Sequence, residues 1–232
     1  MQRLTLPLAL AVIALGAGCA NLERSRNLAD PNVSGMTLAQ QVCSNCHGID
    51  GNSVSPNFPN LAAQQKAYLT GQLDGFRKHD RVDPAGFEYM WGLSHNLTDK
   101  QIGELAEYFA TQKVVSPRAG KPLQAAKGKP IFEQGLPAQA IPPCKSCHGE
   151  QGEGMAGDGP RIADQHADYL VKQLKVFQRT DQRPEGAAMK VVAHGLTTKN
   201  MEDVAQYLQG MAASSPHADK PVDSTMSMPG SR

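Results

Sequence analysis

Apolar residues recur along most of this chain at helical spacing. Tyr68, Leu69, Gln72, Leu73 and Phe76 fall at i, i+1, i+4, i+5 and i+8, a stripe down one side of a helix. Ile102, Leu105, Ala106 and Phe109 fall at i, i+3, i+4 and i+7, behind Thr98-Asp-Lys-Gln101, which has the form of a capping box. Tyr169, Leu170, Gln173, Leu174 and Phe177 repeat the first stripe farther along. No stretch alternates apolar and polar positions as a half-buried strand does. The pattern predicts a mostly helical, all-α protein.

The repeated stripe belongs to a larger duplication. Cys43-Ser-Asn-Cys46-His47-Gly48 returns as Cys144-Lys-Ser-Cys147-His148-Gly149, an offset of 101. The same offset carries Pro59 to Pro160, Ala62 to Ala163, Gln64 to Gln165, Tyr68 to Tyr169, Gln72 to Gln173 and Phe76 to Phe177. Beyond that point the second copy is two residues shorter, so Met90 matches Met189, His95 matches His194, and Tyr108 matches Tyr207. The copies divide the chain into domains at 35–115 and 129–213. Residues 116–128 read as an exposed linker, because Val114 to Pro130 is rich in proline, glycine and basic residues. Residues 19–34 read as a polar tether, and 214–232 as a disordered tail.

The N-terminus reads as an address. Met1-Gln2-Arg3 is a short basic lead, and the apolar run from Leu4 to Gly18 is shorter than the ~20 residues that span a bilayer. Residues 1–18 are therefore expected to be a signal peptide that exports the protein to the periplasm. Leu15-Gly16-Ala17-Gly18-Cys19 resembles a lipobox, which would make Cys19 the lipidated first residue of the mature chain and a membrane anchor. Gly16 stands where a branched residue is more usual; the alternative is a conventional signal whose last cysteine is incidental.

Composition narrows the class. Hydrophobic residues make up 40% and charged residues 19%, which suits a soluble globular body. Lys+Arg 23 against Asp+Glu 22 leaves +1 with no dense basic stripe, so nucleic acid is excluded as a partner. Aromatics are only 5%, too few for large core side chains alone to fill both domains.

The cysteines supply what is missing. On one helical turn, residues at i, i+3 and i+4 share a face, so Cys43, Cys46 and His47 can address one object, as can Cys144, Cys147 and His148. Two thiols that add to porphyrin vinyl groups, beside a histidine that ligates iron, are the signature of covalent haem c. Two such sites predict two haems, each supplying apolar mass to its domain. A zinc ribbon would bring its two Cys pairs within about 20 residues, and here they stand about a hundred apart. Structural disulfides leave the following histidines unexplained, and a thioredoxin-like pair wants a strand–helix setting that is absent. The opposite axial ligands are read as Met90 and Met189, since of nine methionines only these occupy matching places in the repeat. Met155 faces Val54, while His95 and His194 also match and keep bis-histidine ligation open.

At this point the chain resembles the cytochrome c4 family of dihaem proteins built from two tandem class I cytochrome c domains. The resemblance rests on Cys-x-x-Cys-His-Gly followed by Gly51 or Gly152, on Pro59-Asn-Leu61 or Pro160-Arg-Ile162, on Tyr-Leu-x-x-Gln-Leu-x-x-Phe, and on a methionine before Leu-Thr. It implies that the carbonyls of Pro59 and Pro160 accept hydrogen bonds from His47 and His148 and so fix the rings. It also implies an electron carrier rather than an enzyme, working between a quinol-oxidising complex and a terminal oxidase or reductase. The alternatives are a cytochrome subunit of a larger dehydrogenase complex and a dihaem enzyme such as a peroxidase. Phe87-Glu-Tyr-Met90-Trp91 is far bulkier than Gly186-Ala-Ala-Met189-Lys190, so the haems are expected to differ in potential, the first being the higher.

Overall fold

The computed structural model describes residues 21–115, 119–157 and 159–212. The signal segment, Cys19, the start of the expected linker and the tail from 214 lie outside the described residues. Two helical units follow one another. In the first, α1 (Gly35–Leu38) leads through a π-helical stretch, Ala39–Cys43, into the turn α2 (Ser44–His47). Then come α3 (Lys66–Arg77), a second π-helical stretch at Gly86–Met90, α4 (Trp91–Ser94) and α5 (Asp99–Ala110). The second unit contains α6 (Pro122–Gln134), α7 (Lys145–His148), α8 (Ala167–Arg179), α9 (Ala187–His194) and α10 (Thr198–Gln209). Extended pairing among the described residues is confined to the isolated bridges Leu136–Ile141 and Met155–Gly159. The all-α expectation agrees with this.

Each unit has its own core, built by the stripes that the spacing predicted. Leu38, Leu69, Leu97, Ile102, Leu105 and Phe109 interlock in the first, and Ile131, Phe132, Leu170, Val204 and Leu208 in the second. The capping box opens α5 as expected, and Thr197 with Asn200 opens α10 in the same way. One crossing organises each core. α1 meets α5 at Gly35, where a Cβ would lie 2.8 Å from the Gln101 carbonyl oxygen. α6 meets α10 at Gly128, where a Cβ would overlap the Asp203 carbonyl oxygen. Only glycine lets the backbones approach this closely.

Two boundaries differ from the sequence reading. The stretch read as linker through 128 is helical from Pro122, because Gly128, Ile131 and Phe132 on α6 bury against α10. The tether expected at 19–34 is docked at its far end. Val33 is fully buried, Leu28 packs on the same cluster, and Gln101 Nε2 donates to the carbonyls of Asp30 and Val33 at 2.9 Å each. An apolar residue with a buried amide above it holds polar chain in place that composition alone reads as free.

The units meet across a buried polar face. Arg81 donates to Gln72 of its own domain and to Gln173 of the other at 3.3 Å. Arg183 donates to Gln173 at 2.7 Å and to Gln72 at 2.9 Å. The two guanidinium groups thus share the two glutamine oxygens in a pseudo-twofold arrangement. Arg81 is balanced by Asp83 at 2.7 Å and Arg183 by Glu185 at 2.8 Å, and each guanidinium lies 4.5 Å over its own domain's Phe76 or Phe177 ring. Buried charges persist only when paired and hydrogen-bonded in this way.

Candidate metal centres

The turns α2 and α7 present matched Cys-x-x-Cys-His sets. Each turn is stopped by a glycine in the left-handed region, Gly48 at φ 77° and Gly149 at φ 88°, which is why glycine follows the histidine. No disulfide joins Cys43 to Cys46 or Cys144 to Cys147, so both pairs can take thioether links. In the chain before haem attachment, burial pushes the Cys43 thiol up to about 12 and the Cys144 thiol up to about 11.

The histidines are the best-fixed groups of the two sites. His47 and His148 are buried, and their Nδ1–H groups donate to the Pro59 carbonyl at 2.9 Å and the Pro160 carbonyl at 2.8 Å. That bond fixes the tautomer and leaves Nε2 as the free lone pair. Burial holds both imidazoles below their ordinary value, against the proline carbonyl, which favours the charged form. Both rings therefore stay neutral and able to ligate. Among the described residues no group of three or more His, Cys, Asp or Glu side chains is arranged to hold a metal ion. The donor set suits instead a metal that brings its own macrocycle, needing one nitrogen from the chain and thioether links from two sulfurs.

Of the two methionines expected to be ligands, Met90 ends the π-helical stretch Gly86–Met90 and Met189 lies in α9, both half-buried. His95 is exposed, and both ring nitrogens are engaged locally. Nδ1 bonds the carbonyls of Trp91 and Gly92 at 3.2 and 3.1 Å, and Nε2 accepts from Asn96 at 2.8 Å. His194 is exposed at the end of α9. The bulk around Met90 packs outward on itself, in a stack running Phe87, His79, Trp91, His95 with ring centroids 5.5, 5.3 and 5.0 Å apart. In the second domain Lys190 pairs with Asp181 instead.

A cytochrome c family profile matches residues 33–113 and again 125–212, one match for each unit. Cytochrome c4 of Pseudomonas aeruginosa is 37% identical over 173 residues, covering 73% of this chain and 84% of that protein. The chain belongs to the cytochrome c4 family. The crystal structure of reduced cytochrome c4 from Pseudomonas stutzeri superposes with a TM-score of 0.69 at 33% identity, covering 79% of this chain and all of that one. A thiosulfate dehydrogenase electron acceptor of Stutzerimonas stutzeri is 29% identical over 177 residues, 75% of this chain and 80% of that protein. As a c4-type cytochrome the protein carries two covalently attached haem c groups and is an electron carrier.

Sequence reasoning missed the groups between the two centres. Gln64, Gln72, Gln165 and Gln173 match in the repeat, and Gln72 and Gln173 fall in the helical stripes, but neither signal assigns them a contact. All four are buried at the domain interface. Gln165 pairs with the Asn60 backbone, accepting from N–H at 2.8 Å and donating to the carbonyl at 2.9 Å. Gln64 does the same to Arg161, at 2.9 Å for each bond. The signal was available: a polar residue repeated among buried apolar positions in both copies. Arg81 and Arg183 fall where the copies are out of register and left no such signal.

Proposed function

We propose that Cys43 and Cys46 hold the first haem and Cys144 and Cys147 the second. His47 and His148 would each give a nitrogen to one iron, and Met90 and Met189 would each give a thioether sulfur. Haem iron supplies one-electron Fe(II)/Fe(III) chemistry. The chain contributes position: Pro59 and Pro160 aim the imidazoles, and the soft thioethers favour Fe(II) and raise the potential. With both sides ligated, no iron position is open to a substrate, which favours a carrier over a peroxidase. The observation that carries this reading is that the two copies place His47 and His148 on equivalent proline carbonyls within 0.1 Å of the same distance, 2.9 and 2.8 Å.

The electrons pass between a quinol-oxidising complex and a terminal oxidase or reductase in the periplasm, with Cys19 acylated as the membrane anchor. Two acyl chains give stable attachment at ~0.8 kcal/mol per buried methylene. Among the described residues no helix is long and apolar enough to cross a membrane. The likeness to a thiosulfate dehydrogenase electron acceptor favours a second reading, in which the donor is a dehydrogenase that binds this chain as its cytochrome subunit. Co-purification from the native membrane separates the two readings.

The ligand assignment is tested by Met90→Ala and Met189→Ala. Each removes about half of the near-infrared sulfur-to-iron band of the oxidised protein and lets one iron bind carbon monoxide or cyanide. If His95→Ala and His194→Ala do this and the methionine variants do not, ligation is bis-histidine. Cys19→Ser releases the protein from membranes; unchanged sedimentation rejects the anchor.

A further inference from the structure

We propose that Gln64 and Gln165 each tune the haem of the opposite domain, by acting on the peptide group that holds its histidine. The proposal rests on ligation by His47 and His148. The Pro59–Asn60 peptide makes two bonds at once: its carbonyl accepts from His47 Nδ1 at 2.9 Å, and its N–H donates to Gln165 Oε1 at 2.8 Å. The Pro160–Arg161 peptide mirrors it, accepting from His148 Nδ1 at 2.8 Å and donating to Gln64 Oε1 at 2.9 Å. The control is crossed: each histidine is held by its own domain, and each holding peptide is held by the other.

Both glutamines are pinned for this role. They are 7% and 6% exposed, and their Oε1 atoms also accept from the N–H of Gln65 and of His166, at 3.0 Å in each case. Their Nε2 groups donate to the carbonyls of Arg161 and Asn60. Hydrogen bonds in series polarise one another in a low-dielectric interior. When the peptide N–H donates to glutamine, its carbonyl oxygen becomes more negative and draws harder on the histidine proton. The imidazole then becomes a more basic ligand, which favours Fe(III) and lowers the potential. Gln64 and Gln165 touch neither haem nor ligand, so they are positioning residues.

The test uses the full holoprotein, with the haems resolved by NMR during a redox titration. In the wild type, ring-current-shifted His47 and His148 resonances in the reduced state establish ligation; without them the ligand reading falls, whatever the glutamines do. With ligation established, Gln165→Met shifts the first haem's reduction equilibrium about threefold toward Fe(II), ~28 mV at 59 mV per decade for one electron. It moves the His47 Nδ1–H resonance upfield and leaves His148 alone. Gln64→Met does the reverse. Gln165→Glu keeps an acceptor oxygen in place and holds the first haem at or below its wild-type potential, and this remains measurable if the methionine variant fails to assemble. Three results overturn the proposal: no shift in either methionine variant, a shift only in the substituted residue's own domain, or a rise in potential with Gln165→Glu.

Discussion

In the first domain the crossing helix runs unbroken through Ala39–Cys43 into the cysteine turn. In the second it ends at Gln134, and a hairpin closed by Leu136 and Ile141 intervenes before Lys145–His148. Gly35 precedes Cys43 by eight residues and Gly128 precedes Cys144 by sixteen. Even so, both turns deliver a buried imidazole to a proline carbonyl at 2.9 and 2.8 Å. The segments around the two methionines diverge further, with an aromatic stack around Met90 and a Lys190–Asp181 pair beside Met189. The duplicated fold therefore tolerates change in how the chain reaches the histidine and in what surrounds the methionine. It keeps the histidine's anchor and the glycine crossing beneath it.

The crossing gives the largest way to break this comparison. Gly128→Ala drives a methyl into the Asp203 backbone and should cost on the order of 3 kcal/mol. Gly35→Ala meets backbone at 2.8 Å and should cost about 2 kcal/mol. Denaturant unfolding with each haem's absorbance as a domain probe checks both. Each variant should unfold its own domain first, and equal loss in both domains would mean that they unfold as one unit.

The two capping boxes come next. Gln101→Ala removes the box and also the bonds to Asp30 and Val33, and should cost about 2–3 kcal/mol. Asn200→Ala removes only its box, about 1 kcal/mol. Limited proteolysis sharpens the contrast: only Gln101→Ala should expose the chain between Leu28 and Ser34.

The distal surfaces give the smallest effects. Trp91→Ala loses two ring contacts, about 1 kcal/mol, whereas Lys190→Ala loses an exposed pair worth less than about 0.5 kcal/mol. Trp91→Ala should also lower the first haem's potential and leave the second where it is, in a titration that resolves two midpoints. A single midpoint for the wild type would remove the distal asymmetry from any account of potential.

The amino-acid sequence by itself determined the helices, the duplication, the paired Cys-x-x-Cys-His turns and the matched Met90 and Met189. These signals are local, carried by periodicity, by caps such as Thr98 with Gln101, and by residues a few positions apart on one turn. Even the proline contacts of His47 and His148 span only twelve residues. The tertiary structure decided what residues about a hundred apart do to one another. Gln64, read as one matched position in a repeat, is an acceptor for the peptide beside His148, and Gln165 is its counterpart beside His47. Arg81 and Arg183 share Gln72 and Gln173 across the interface, and Val33 docks under α5 although its neighbours are polar. A polar side chain has the same local signature whether it faces water or a second domain. The difference appears only when the two copies are placed against each other and burial obliges each polar group to find a partner.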